Sequence, residues 1–104
     1  MTYKFSFYVP ETHLEVVKNA LFDSGAGKIG NYDKCCWQTK GTGQFRSLKN
    51  SSPHIGSKNK LEVLEEYKVE MICDGIYIED AEKALLDAHP YETPAYNISE
   101  NYER

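Results

Sequence analysis

His89-Pro90-Tyr91-Glu92 sets an imidazole, a phenol and a carboxylate side by side, at the point where a helical pattern stops and a strand pattern begins. Joined by His54 from earlier in the chain, His89 and Glu92 are donor types that could hold a divalent metal ion. Without a metal the same groups would form a polar cluster for a small molecule, Tyr91 adding a ring and a hydroxyl. The opposing reading is structural. An imidazolium at a helix C-terminus is favoured by the macrodipole and can bond the last carbonyls of the helix.

A second group lies upstream, where Gly41 and Gly43 flank Thr42 just past a strand pattern, with Phe45 and Arg46 following. Such a segment could seat an anion with Arg46 as a bidentate donor, or it could be an ordinary hairpin. Gly25-Ala26-Gly27-Lys28-Ile29-Gly30 matches G-x-G-x-x-G, but it follows a helix and leads toward a strand, the reverse of the context that a dinucleotide-binding turn requires. A helix stop and a turn of positive φ account for its glycines, and a nest of backbone amides for a small anion is the alternative. Cys35 and Cys36 are adjacent, so on a strand they point to opposite faces and cannot both ligate one ion. With no C-x-x-C in the chain, packing is the expectation for these thiols.

The elements that position these groups can be read from periodicity. Tyr3, Phe5, Phe7 and Val9 alternate with polar residues as in a half-buried strand that Pro10 ends. Thr12 and Glu15 have the spacing of a capping box, and Leu14, Val17 and Leu21 recur at helical spacing until Gly25. Residues 35–39 suit a strand, and residues 41–60, rich in Gly, Ser, Asn and Lys, are expected to form a long binding or mobile loop. Residues 61–74 alternate again, with Val63, Tyr67, Val69, Met71 and Cys73 on one face. At this length the strand is expected to project beyond its sheet or to carry a bulge. Ile78, Ala81, Leu85 and Ala88 mark a second helix, halted by Pro90, and residues 93–98 close the chain as a strand.

The order β-α-β-β-α-β predicts an α+β fold, a ferredoxin-like sandwich with both helices on one face of an antiparallel sheet. At 104 residues the chain is expected to be a single domain, residues 1–104, with one modest core. A net charge of -4 with scattered lysines argues against nucleic acid as a partner. No apolar run approaches a membrane span, and no signal-like segment opens the chain, so a cytoplasmic protein with free thiols is expected. The sheet face away from the helices has no cover within the chain. Tyr8, Leu64 and Ile72 fall on it, which predicts a homo-oligomer or a docked protein partner.

Gly25-Ala26-Gly27-Lys28-Ile29-Gly30-Asn31-Tyr32-Asp33 with Cys35, then Gly41-Thr42-Gly43-Gln44-Phe45-Arg46, Pro53-His54-Ile55-Gly56 and His89-Pro90-Tyr91-Glu92 occur in one order along the chain. In this the chain resembles the YqfO-type insert domain of the NGG-one-interacting-factor proteins, also known as the GTP cyclohydrolase I type two family, from Tyr3 to Tyr96. The resemblance implies a fold similar to the PII signalling proteins and the CutA proteins, both typically trimeric. It implies no metal ligand on this chain, because the two-metal site of the full-length proteins belongs to the flanking core domain. Two functions follow as expectations. The first is a non-catalytic, oligomeric binding or regulatory module taking a small ligand or a metal ion at subunit clefts, between residues 41–60 and the His89-Pro90-Tyr91-Glu92 corner. The second is a small metal-dependent hydrolase using His54, His89 and Glu92, with a scaffold that docks a protein as a further alternative.

Overall fold

The computed structural model describes residues 1–54 and 56–101; Ile55, part of one motif quoted above, lies outside the described residues. β1 (Thr2–Pro10) buries Phe5, Phe7 and Val9 completely, as its alternation predicts. Pro10 leads directly into a 3-10 turn, Glu11–His13, from which α1 (Leu14–Ser24) rises. The capping box does not form, because the turn absorbs Thr12. Its hydroxyl bonds the His13 ring at 2.9 Å, and Glu15 pairs with Lys18 instead.

Gly25 ends α1 in the left-handed conformation, at φ 114°, with its amide bonded back to Leu21 and Phe22. A Cβ there would meet the Tyr77 ring at 2.6 Å, so both backbone and space require glycine. In the turn beyond, the amides of Ala26, Gly27 and Ile29 donate to the carbonyls of Leu21, Ile72 and Tyr32. These amides are used within the fold and are not free for an anion.

β2 (Trp37–Arg46) and β3 (Leu61–Asp74) form a long antiparallel hairpin, and α2 (Ile78–Ala88) and β4 (Tyr96–Asn101) complete the chain. The sheet order is β2-β3-β1-β4, with all pairs antiparallel. This is the ferredoxin-like α+β arrangement, with α1 and α2 against one face. Phe7 lies opposite Val69 and Phe5 opposite Met71, and Phe5 stacks on Tyr96 of β4 at 5.9 Å. Val17 and Leu21 of α1 and Ala81 and Leu85 of α2 close over them to complete the core.

Several boundaries differ from the sequence reading, among them the start of β2, which is Trp37 and leaves Cys35 and Cys36 outside the strand expected over residues 35–39. Residues 41–46 are strand, not loop, because β3 offers its full length as a template and pairing overrides weak strand propensity. The loop is thereby shortened to residues 47–60. β4 starts at Tyr96 instead of residue 93, since Pro94 has no N–H to give to a ladder.

β3 neither leaves the sheet nor bulges, contrary to the expectation from its length: residues 61–70 stay in unbroken register with β2, and residues 61–65 run past the end of β1 as a two-stranded arm. This arm gives the molecule its length, 46 Å against 24 and 23 Å across. Beyond the helices Val63 loses its cover and is exposed, although it shares a face with buried Val69, Met71 and Cys73. On the opposite face Tyr8, Trp37, Lys68, Glu70 and Ile72 stand free of any helix, and Lys4 pairs with Glu70 at 2.7 Å.

Candidate functional site

The end of α2 is tied to β1 by His89, which is 7% exposed. Its Nε2 donates to the Tyr8 carbonyl at 2.6 Å, and its Nδ1 accepts the Tyr91 amide at 3.1 Å. One donating and one accepting nitrogen define a single neutral tautomer. Burial, ahead of the Tyr8 bond that opposes it, pulls the imidazole below its usual range. The expected imidazolium bonding helix carbonyls is thus corrected. Desolvation outweighs the macrodipole, and the carbonyl it meets belongs to a strand.

Tyr91 carries the connection onward. Its hydroxyl donates to Glu66 Oε2 at 2.8 Å, and burial, aided by that bond, raises the phenol well above its ordinary value. Glu66 lies on the arm directly opposite Gly41, and its carboxylate occupies the space in which a Cβ on Gly43 would stand. Gly43 therefore makes room for this carboxylate. The loop docks on the same corner, with the Ser52 amide donating to Glu92 Oε2 at 2.8 Å and the His54 ring 6.3 Å from that of Tyr91. His13 meets His54 edge to face at 5.4 Å.

Between arm, loop and corner lies an open cleft of about 550 Å³. Tyr8 is its floor, Phe45 and Arg46 come from β2, Glu66 from β3, and Tyr91 and Glu92 from the corner. Phe45 and Tyr91 are in ring contact at 6.2 Å. Of the sequence candidates, Phe45, Arg46, Tyr91 and Glu92 share this cleft. Gly41 and Gly43 line a neighbouring hollow of about 430 Å³ along the sheet, while His54 and His89 buttress the corner from behind. Sequence reasoning missed Tyr8 and Glu66 as lining residues. The alternation of β1 and β3 places both on the open face, but nothing in it says that the corner, 81 residues from Tyr8 at His89 and 25 from Glu66 at Tyr91, folds back over them.

Both ring nitrogens of His89 are engaged, Glu92 is held by Ser52, and His54 has a ring as its neighbour. Among the described residues no three His, Cys, Asp or Glu side chains converge as a metal site would require. The Cys35 thiol points to the Asp33 carbonyl, Cys36 is exposed, and Cys73 is buried with its thiol pushed up by desolvation.

This fold and its corner define a CutA-like and PII-like ferredoxin fold. The CutA protein of Archaeoglobus fulgidus superposes with a TM-score of 0.67 over 100% of this chain and 86% of its own, at 15% identity, which shows the fold alone. Sequence makes the closer assignment. The GTP cyclohydrolase 1 type 2 homolog of Halalkalibacterium halodurans is 42% identical over 96 residues, 92% of this chain and 26% of that protein. A Bacillus cereus protein related to NIF3 superposes with a TM-score of 0.79 at 38% identity, over 94% of this chain and 25% of that one. The chain is thus a relative of one segment of the GTP cyclohydrolase 1 type 2 homolog proteins, and it spans about a quarter of the length of those it matches. No protein-family model matches it.

Proposed function

We propose that the protein is a non-catalytic binding module of the YqfO insert type, one domain over residues 1–104, which assembles as a homo-oligomer and takes a small ligand in the cleft between the arm and the 89–95 corner. The observation that carries this reading is convergence. Phe45 and Arg46 are separated from Tyr91 and Glu92 by more than forty residues of sequence, yet line one cleft. The polar groups described there are held in place, the Glu66 carboxylate accepting from the Tyr91 hydroxyl and the Glu92 carboxylate from the Ser52 amide.

The open sheet face, with Trp37 70% exposed and Tyr8 beside it, supports assembly, and the likeness to CutA makes a trimer the form to test. The free thiols agree with a cytoplasmic setting; among the described residues no helix is long and apolar enough to cross a membrane. The activity named for the relatives belongs to proteins of which this chain matches a quarter, and it is not carried over.

Native mass spectrometry on protein purified gently, without chelator, tests the reading. The expected spectrum is a trimer with a stoichiometric added mass. A bare monomer that retains nothing would overturn both halves of the proposal.

A further inference from the structure

Cys35 and Cys36 are adjacent thiols that the cleft does not use. On a strand their side chains would face opposite ways, but β2 begins only at Trp37 and the backbone of the pair is irregular. Lys34 turns the chain just before it, in the left-handed conformation at φ 54°. The segment is nonetheless anchored. The Cys35 amide donates to the Gly27 carbonyl at 2.8 Å, and the Gly27 amide donates to the Ile72 carbonyl at 2.8 Å, past the point where β2 stops pairing with β3. Strand alternation therefore does not separate the two sulfurs.

Both cysteines line one pocket of about 350 Å³ at this edge of the sheet. A cysteine sulfur is bonded directly to Cβ, so the placement of the residue nearly fixes that of the sulfur. Cys35 is half-buried, its thiol giving only a weak bond at 3.6 Å to the Asp33 carbonyl, and Cys36 is exposed. The other groups of the wall are not ligands. Glu70 is held by Lys4 at 2.7 Å and by Lys68 at 3.7 Å, and the register places Met71 opposite Phe5 in the core. Ile29, Trp37 and Ile72 make up the apolar part. Among the described residues no third His, Cys, Asp or Glu side chain joins the pair, so a structural zinc ion, which takes four ligands, is not served. Two sulfurs in an otherwise apolar setting suit a soft centre that is satisfied by two thiolates.

We propose that Cys35 and Cys36 form a chelating site for a thiophilic centre of this kind, a trivalent arsenical, with its organic group against Ile29, Trp37 and Ile72. Two As–O bonds of the hydrated arsenical give way to two As–S bonds, each thiol passing its proton to a hydroxyl that leaves as water, and arsenic stays trivalent throughout. Once the first sulfur is bound, the second attack is intramolecular, which makes the bridged adduct far more durable than a single As–S bond. The site is separate from the cleft and stands whether or not the cleft holds a ligand.

Phenylarsine oxide, added in equal amount to the reduced full chain, tests the assignment. Mass spectrometry is expected to show one arsenical per chain, with a loss of two reactive thiols. That adduct should survive excess glutathione, a monothiol, and be stripped by 2,3-dimercaptopropanol. Cys35→Ser and Cys36→Ser are each expected to lower the resistance to glutathione about a hundredfold or more, whereas Cys73→Ala should keep it. An adduct that glutathione removes as readily from the wild type as from the single-cysteine variants would overturn the chelate, as would failure of the native protein to react. A durable adduct that persists in Cys36→Ser, or one that links two chains, would overturn the assignment to this pair.

Discussion

The Tyr91 hydroxyl donates to Glu66 at 2.8 Å, joining the corner after α2 to the projecting arm. Tyr91→Phe keeps the ring and removes the bond. The expected loss is about 1 kcal/mol in urea unfolding, with weaker retention of whatever the cleft holds. Equal midpoints and equal retention in both proteins would show that the arm is held by other contacts.

Neutral His89 makes the fold sensitive to acid. Its folded value lies below the 6.5 of the free side chain, so the folded state binds fewer protons than the unfolded one. Its contribution is fully present above pH 6.5 and is lost as pH falls from there toward the folded value. The slope is at most about 1.4 kcal/mol per pH unit. Urea midpoints measured from pH 8 to pH 5 should fall in the wild type more than in His89→Gln, although the variant starts lower. Parallel curves would remove His89 as the cause.

Gly25→Ala is expected to destabilise by more than the roughly 1 kcal/mol that left-handed backbone alone costs, because the new methyl also displaces the Tyr77 ring. Thermal unfolding reads this directly, and a melting point within error of the wild type would contradict the geometry at the end of α1.

Asp74 accepts the Ile76 amide at 3.1 Å in the turn that starts α2. Asp74→Ala should therefore cost about 1 kcal/mol, in the range of a lost helix cap. No change in urea midpoint would mean that the bond is exchanged for water without penalty.

Trp37, the single tryptophan, stands on the open sheet face. Its fluorescence reports the proposed assembly: a blue-shifted spectrum insensitive to iodide at high protein concentration, moving to a water-exposed one on dilution. An exposed spectrum at every concentration would leave that face uncovered and count against assembly through it.

The strands and helices could be anticipated because their periods are strong: Phe5, Phe7 and Val9 alternate, and Val17 and Leu21 repeat at helical spacing. Residues 41–46 could not, because glycines carry little local preference for a strand and only the partner β3 makes them one. Thr12 was misread for a related reason, since a capping pattern describes a helix start and not the turn that Pro10 imposes before it. At the site, Tyr91 and Glu92 were visible as a motif. Their meeting with Phe45, Arg46, Tyr8 and Glu66 was not, because it depends on how far the hairpin extends and where the corner bends. The state of His89 was misjudged because its burial is tertiary and its helix position is local.

β1 pairs on both sides with strands that come much later in the chain: Thr2 lies opposite Asp74 on β3 and opposite Asn101 on β4. During synthesis, therefore, Phe5, Phe7 and Val9 emerge first and have only α1 to meet until β3 has left the ribosome. The sheet cannot assemble outward from a local hairpin at its centre, since the one local hairpin, β2 with β3, sits toward its edge. Folding must close a long loop before the core gains its main contacts, which makes it slow for a chain of this size. The aromatic strand spends that interval exposed, a natural substrate for chaperones and proteases in the growing chain.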